Sequence, residues 1–247
     1  MSEKIALITG ASKGIGSSIA LNLAQYDYTV ILCYNTSKSS CEKLLSKIKS
    51  LSNGFCIKAD LRKLEDIDNI IVKVKDSFKK IDVLVNNAGV IYQPSNLDSI
   101  TKDIWDETFN INLYSAFHLS RGLFPLLNKA SNGKIINISS LYGIIGVPQI
   151  IAYSAAKAAL INLTRSLALE FSPNVQVNSI APSHIMTDML IESGNEFIEQ
   201  VKAQTPLNKI GVPEDISNLV EFLVSGKADY ITGQTIIVDG GFSLKTS

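Results

Sequence analysis

Cysteine is scarce in this chain. Its three residues, Cys33, Cys41 and Cys56, are odd in number and show no CxxC spacing, which gives neither a disulfide framework nor a zinc-binding pattern. They read as small buried hydrophobes. An excess of charge of either sign is also missing, since 23 basic and 23 acidic residues leave a formal net charge of zero. No general field draws in a polyanion, so neither nucleic acid nor a membrane surface is expected as a partner. No apolar run approaches the roughly 18 residues that a membrane span requires. The opening MSEKIALITGASKGIG passes straight from charged residues into an apolar run and glycines, without the long apolar stretch and cleavage site of a secretory leader. A cytoplasmic location is expected. Repeats, charge blocks and Pro/Ser-rich linkers are absent as well, which argues against a division of the chain.

What is present is a length of 247 residues and a hydrophobic content of 46%, enough to bury a sizeable core. Short apolar, β-rich runs recur at 4–9, 28–34, 54–59, 81–86, 133–139, 175–180 and 234–239. Several lack polar alternation, as strands covered on both faces do. Between them run stripes at helical spacing: Ile15, Ile19 and Leu23; Leu44, Leu45, Ile48 and Leu51; Ile67, Ile70, Ile71, Val74 and Phe78. Longer helical stretches are predicted at about 101–129 and 152–171. Strand and helix alternate to the end, so the fold class is α/β: a single Rossmann-type, doubly wound domain over 1–247 with a seven-stranded parallel sheet and helices on both faces. Residues 183–212, with Ser183, Gly194, Pro206 and Gly211 around a weak helical pattern, are predicted to form a mobile insertion over the substrate.

After the first strand comes TGASKGIG, with Gly10, Gly14 and Gly16 opening directly into a helix. Glycines permit a tight turn and a close backbone approach, and the helix N-terminus offers free N–H groups to a pyrophosphate. Placed between the first strand and helix of a βαβ repeat, the loop points to a dinucleotide, held by Gly10, Ser12, Lys13, Gly14, Ile15 and Gly16. Sites that prefer NAD usually carry an acid about 20 residues further on. Here the second strand ends in Cys33, Tyr34, Asn35, Thr36, Ser37 and Lys38, with no acid. Lys13 and Lys38 can pair with a 2′-phosphate while Asn35 and Ser37 donate hydrogen bonds, so NADP(H) is favoured over NAD(H).

The pentapeptide YSAAK places Tyr153 and Lys157 on one helix face with only small residues between them. Alone, that spacing fits a solvated helix face as well as it fits chemistry. With the glycine loop, with Asn86, Asn87, Ala88 and Gly89 ending the fourth strand, with NINLYSAF and with the serines after the fifth strand, the chain resembles the short-chain dehydrogenase/reductase family from Ala6 to Phe242.

That resemblance implies a catalytic set of Asn112, Ser140, Tyr153 and Lys157. Ser140 is selected over Ser139 because it stands thirteen residues before the tyrosine, and Asn112 over Asn110 by its match to the family's helix. In the family the tyrosine is the general acid for carbonyl reduction. The lysine stabilises its phenolate and bonds the nicotinamide ribose, the serine orients the substrate oxygen, and the asparagine holds a water that links the lysine to solvent. Asp60 and Leu61 match the adenine contacts, and Asn87, Ala88 and Gly89 the wall beside the ribose, while part of the NNAG motif also stabilises the central sheet. Pro182, Ile185 and Thr187 match the loop beneath the nicotinamide. The family usually carries Pro-Gly there, whereas this chain has Pro182-Ser183, and a serine resists positive φ, so the loop is expected to run slightly differently.

The C-terminal run resembles the 3-oxoacyl-thioester reductase branch, which implies a homotetramer and a small-molecule carbonyl or alcohol substrate, with acyl carrier protein as a further partner. The branch's carrier-protein reductases have arginines by the site entrance, and here Lys129 and Lys134 are the cations in the corresponding stretches. Ile144, Ile145, Val147, Pro148 and Ile150 suit an apolar pocket wall or a subunit contact equally. His184 faces either substrate or solvent, and His118 is read as structural. Two other readings remain open. One is oxidation of a sugar, polyol or other secondary alcohol; the other is a non-catalytic cofactor-binding regulator, which the intact four-residue set speaks against.

Overall fold

The computed structural model describes residues 3–245. Seven strands lie in one all-parallel sheet: β1 (Lys4–Thr9), β2 (Tyr28–Tyr34), β3 (Gly54–Lys58), β4 (Val83–Asn86), β5 (Gly133–Ile138), β6 (Val175–Pro182) and β7 (Thr235–Val238). Their spatial order is β3-β2-β1-β4-β5-β6-β7, so the direction of winding reverses between β1 and β4. Each matches a predicted run to within two residues. The central strands are buried almost throughout, β5 along its whole length, which is why their sequence shows apolar runs rather than alternation.

Helices cover both faces. On one, α1 (Gly14–Gln25), α2 (Lys38–Lys49) and α9 (Pro213–Val224) place Ile19, Leu23, Leu44, Ile48, Ile216 and Val220 on Ile8, Val30 and Val85. On the other, α3 (Leu64–Ser77), α5 (Ser115–Leu127) and α6 (Ile151–Glu170) set Ile67, Ile70, Val74, Leu119, Leu123 and Leu167 against Leu7, Leu84 and Ile135. Each such side chain contributes about 1.5–3 kcal/mol by leaving water. Two members of the predicted stripes fall outside their helices: Leu51 is exposed beyond α2, and Phe78 follows α3, meeting Phe55 edge-on at 5.7 Å.

The long helix predicted near 101–129 is interrupted. Thr101 caps α4 (Lys102–Phe109) by accepting from Ile104 N–H. A five-residue π-turn, Asn110–Tyr114, then separates α4 from α5. Its extra residue rotates Asn112 into the interior, where it is buried.

Residues 183–212 leave the sheet edge and return, forming α7 (Asp188–Ile191) and α8 (Asn195–Gln204), and the excursion is closed by pairing of Ile185 with Gly211. Gly194, at φ 91°, allows the sharp entry into α8. Ser183 is not among the non-glycine residues at positive φ, and its N–H donates to Val238 O at 3.1 Å. The backbone after Pro182 therefore takes a path that a serine adopts without strain.

Candidate active site

The C-terminal ends of β1, β4, β5 and β6 bring the candidate residues to one edge of the sheet, beside the reversal of winding where an open α/β sheet forms its crevice. The glycine loop fits a bound dinucleotide on steric grounds. A Cβ on Gly16 would overlap Gly10 O and stand 2.5 Å from Asn87 Nδ2, so only hydrogen lets helix and strand approach this closely. Gly10 and Gly14 hold φ near 61° and 55°, bending the loop away from the helix start. The first turn of α1 has neither a side-chain cap nor an acid, which leaves its N–H groups to a phosphate. Thr9 Oγ accepts from the N–H groups of Asn87 and Ala88, both at 3.0 Å, and Asn87 Nδ2 donates to Thr9 O and Gly10 O, so the loop and the NNAG motif form one unit.

Beyond the C-terminal end of β2, Asn35 and Lys38 are exposed and Ser37 is partly so. The start of α2 also lacks a side-chain cap and an acid. Lys38 pairs with Glu42 at 3.7 Å and Lys13 with Asp188 at 3.5 Å, both in the open, so either lysine can be surrendered to an anion at small expense. Asp60 is engaged by Arg62, whose Nη2 lies 2.6 Å from Asp60 Oδ2, and this hydrogen bond holds the carboxyl below the usual carboxylate range. Arg62 also reaches Glu107 at 3.1 Å, tying this end of the cleft to α4. Thr187 faces Gly14 across the loop, and Ile185 is buried behind it.

The four residues implied as catalytic converge. Ser140 is buried at the start of a short 3-10 turn, Leu141–Gly143, with its Oγ accepting from Tyr142 N–H at 3.1 Å. Its neighbour Ser139 instead donates to Ile180 O and accepts from Ser179, both inside the sheet. Tyr153 and Lys157 stand on α6, and Lys157 Nζ lies 5.6 Å from the tyrosine ring centroid. Burial raises the Tyr153 phenol above its ordinary value, opposed by the hydroxyl of Ser140. Lys157, buried, donates to Ile138 O at 2.9 Å, and desolvation brings its pKa down to about 8. Burial is the larger of these two influences on the phenol.

Asn112 Nδ2 donates to Val90 O and Thr108 O, each at 2.9 Å, while its Oδ1 is buried without a hydrogen-bond partner. A Cβ on Gly89 would stand 2.8 Å from that oxygen and 3.4 Å from Lys157 Nζ, so both atoms face the same point above the glycine. A buried relay steadies α6: Asn86 Nδ2 donates to Asn137 Oδ1 at 2.8 Å, and Asn137 Nδ2 to Thr164 Oγ1 at 2.9 Å.

Two expectations need correction. Lys134 is 1% exposed and bonded to Asp229 and Gln176, so it is no docking cation. Lys129 is exposed, but both precede or begin β5, whereas Ser140 follows its far end; within one chain neither flanks the entrance. Of the apolar residues after Ser140, Ile145 packs on Leu141, Val201 and Phe242, Ile150 is buried, Val147 is half-buried, and Ile144 and Pro148 are exposed. His118 meets Phe117 edge-on at 5.4 Å on α5. Tyr142 escaped the sequence reading, although a tyrosine two residues past the candidate serine is itself a signal; its hydroxyl lies 2.7 Å from His184 Nε2.

The chain is similar to known proteins along nearly its whole length. A family model described as enoyl-(acyl carrier protein) reductase matches residues 10–243. The 3-oxoacyl-[acyl-carrier-protein] reductase FabG of Staphylococcus aureus strain Mu50 is 41% identical over 240 residues, covering 96% of this chain and 97% of that protein. A 3-oxoacyl-[acyl-carrier-protein] reductase of Synechocystis is 37% identical over 246 residues, 98% and 97% of the two chains. Among solved structures, acetoin dehydrogenase YohF from Salmonella typhimurium superimposes with a TM-score of 0.89 at 32% identity, covering 98% of this chain and 97% of that one. A putative gluconate dehydrogenase from Agrobacterium tumefaciens gives 0.91 at 29% identity, covering 97% and 95%.

Proposed function

Because the chain belongs to the short-chain dehydrogenase/reductase family of oxidoreductases, we propose that it is an NADP(H)-dependent reductase of a 3-oxoacyl thioester or a related small ketone. The observation that carries this reading is the convergence of Ser140, Tyr153, Lys157 and the free Asn112 Oδ1 at the mouth of a glycine loop shaped for a dinucleotide. When bound, the nicotinamide cofactor supplies the hydride.

The protein's own residues do the rest. Ser140 Oγ holds the carbonyl oxygen, and Tyr153 gives its phenolic proton to that oxygen as negative charge develops there. Lys157 keeps a positive charge one helical turn from the phenol, easing loss of its proton, and offers its ammonium to the cofactor ribose. Asn112 Oδ1 and Lys157 Nζ together suit a water that resupplies the proton. Gly10, Ser12, Gly14, Ile15 and Gly16 receive the pyrophosphate, Asp60 and Leu61 the adenine, Asn87, Ala88 and Gly89 the ribose, and Pro182, Ile185 and Thr187 the nicotinamide. With no acid at the end of β2, Lys13, Asn35, Ser37 and Lys38 favour the 2′-phosphate of NADP(H).

Residues 183–212 act as a mobile cover over the substrate. Self-association into a tetramer accounts for the apolar side chains left exposed on the α4–α6 side, Trp105, Tyr114 and Leu169. Among the described residues no helix is long and apolar enough to cross a membrane.

The deciding experiment is the initial rate of NADPH oxidation, with NADH in parallel, on acetoacetyl-CoA. Turnover with NADPH in preference to NADH supports the reading. Turnover with NADH alone overturns the cofactor assignment and leaves the catalytic set standing. Failure with both moves the substrate to polyols, sugars or other secondary alcohols, and reduction of crotonyl-CoA in place of acetoacetyl-CoA would point to the double-bond chemistry in the family description.

A further inference from the structure

Two side chains, Ser140 and Tyr153, are assigned above to the reacting carbonyl and none to the remainder of the substrate. Beside them stand Tyr142 and His184. Tyr142 lies on the 3-10 turn that Ser140 begins, with its N–H fixed on Ser140 Oγ. The turn is pressed onto α6 so closely that a Cβ on Gly143 would stand 2.7 Å from the carbonyl carbon of Lys157. Ser140, whose hydroxyl meets Tyr153 on one side, thus holds the backbone of Tyr142 on the other. His184 comes from the loop after β6, and its ring is boxed edge-on by Tyr142, Phe197 and Phe242 at centroid distances of 5.7, 5.7 and 5.1 Å.

The direction of the 2.7 Å bond between Tyr142 Oη and His184 Nε2 decides what the tyrosine can offer. Burial favours the neutral imidazole, in which one nitrogen carries the proton. His184 Nδ1 is buried without a hydrogen-bond partner. A proton on Nδ1 would therefore be an orphaned buried donor, which proteins tolerate less than an under-satisfied acceptor. The proton belongs on Nε2, where it is donated to Tyr142 Oη. The phenol's own proton is then free to be donated elsewhere.

We propose that Tyr142, oriented by the Nε2–H tautomer of His184, is a second hydroxyl donor of the substrate site and binds the thioester carbonyl of a 3-oxoacyl thioester. This rests on the function proposed above and deepens it. In such a substrate the second oxygen lies two carbons along from the reacting ketone, so one donor group beside Tyr153 and another on the adjoining turn meet both oxygens. A site built to hydrogen-bond an oxygen discriminates against analogues that lack it. Tyr142 is a substrate-binding residue on this view, and His184 a positioning residue.

The test compares wild type, Tyr142→Phe, His184→Phe and His184→Gln in steady-state kinetics with acetoacetyl-CoA at saturating NADPH. Tyr142→Phe and His184→Phe are expected to raise KM for acetoacetyl-CoA about tenfold, with kcat within about threefold and KM for NADPH unchanged. His184→Gln, whose amide still donates, is expected to recover most of that loss. Wild-type constants in Tyr142→Phe, or a fall in its kcat at unchanged KM, overturn the assignment alone. A His184→Gln variant no better than His184→Phe overturns the orienting tautomer. An inert wild type sinks the thioester reading itself and this assignment with it.

Discussion

Lys157 holds its ammonium 5.6 Å from the centre of the Tyr153 ring, one helical turn along α6, and is itself only 3% exposed. The pair is an arrangement kept for chemistry at the expense of stability. Lowering the lysine from its ordinary 10.5 to about 8 corresponds to on the order of 3 kcal/mol against the folded state at neutral pH. The unfolded chain keeps this proton up to about 10.5 and the folded chain gives it up near 8. Between those values the unfolded state binds more protons, so the wild type gains stability from this group as pH rises, and the full penalty applies below 8.

Lys157→Met removes the charge and leaves Ile138 O without its donor, a loss of about 1–3 kcal/mol that offsets part of the gain. The variant is expected to melt a few degrees above wild type at pH 7, with the difference shrinking by pH 10, and to lose activity by about a hundredfold or more. Melting curves across that range decide it. A difference independent of pH would show that the buried charge is not its source.

The sheet was legible because its central strands are buried on both faces and each strand carries an apolar run between turn signals; β1, β2 and β5 fall where Ile5, Val30 and Ile135 place them. The glycine loop was legible because it needs residues without Cβ at fixed spacing. The π-turn was not, since Asn110–Tyr114 keeps a helical apolar pattern and the extra residue shows only in where Asn112 points. The partnership of Tyr142 with His184 joins residues 42 positions apart, and no local period records it. Lys134 misled because a lysine reads as a surface charge, while here Asp229 and Gln176 bury it.

Gly16→Ala tests whether the glycine loop needs its close approach. The new methyl would overlap Gly10 O and crowd Asn87 Nδ2. Overpacking of this kind costs about 1–3 kcal/mol. NADPH affinity, followed by fluorescence of the bound dinucleotide, is expected to fall about tenfold or more. Gly146→Ala, whose methyl would meet nothing within 4 Å, serves as the control and should bind as wild type does. Equal affinity in both variants would mean that the loop does not cradle the cofactor.

Lys38→Ala separates the two dinucleotides. The exposed Lys38 to Glu42 pair contributes little, so the fold should melt unchanged. KM for NADPH is expected to rise about tenfold while KM for NADH stays within about twofold, because only the former carries a 2′-phosphate for the lysine to meet. Adding Asn35→Asp places an acid where a ribose hydroxyl would lie and should invert the preference. A parallel rise for both cofactors would assign Lys38 to general electrostatics.

Asn112→Ala tests the proton path. The side chain supplies two donors to Val90 O and Thr108 O and one unshared acceptor facing Lys157 across Gly89. Loss of the donors is expected to destabilise the fold by about 1–3 kcal/mol, because both carbonyls lose a partner that the π-turn brought to them. Loss of the acceptor should lower kcat by about a hundredfold with KM for NADPH within about twofold, since the amide faces Lys157 and lies outside the glycine loop. The two effects separate on Asn112→Asp, which keeps the acceptor and loses the donors. If kcat in Asn112→Asp falls as far as in Asn112→Ala, the residue acts by holding the turn in place, and the proton reaches Tyr153 by another route.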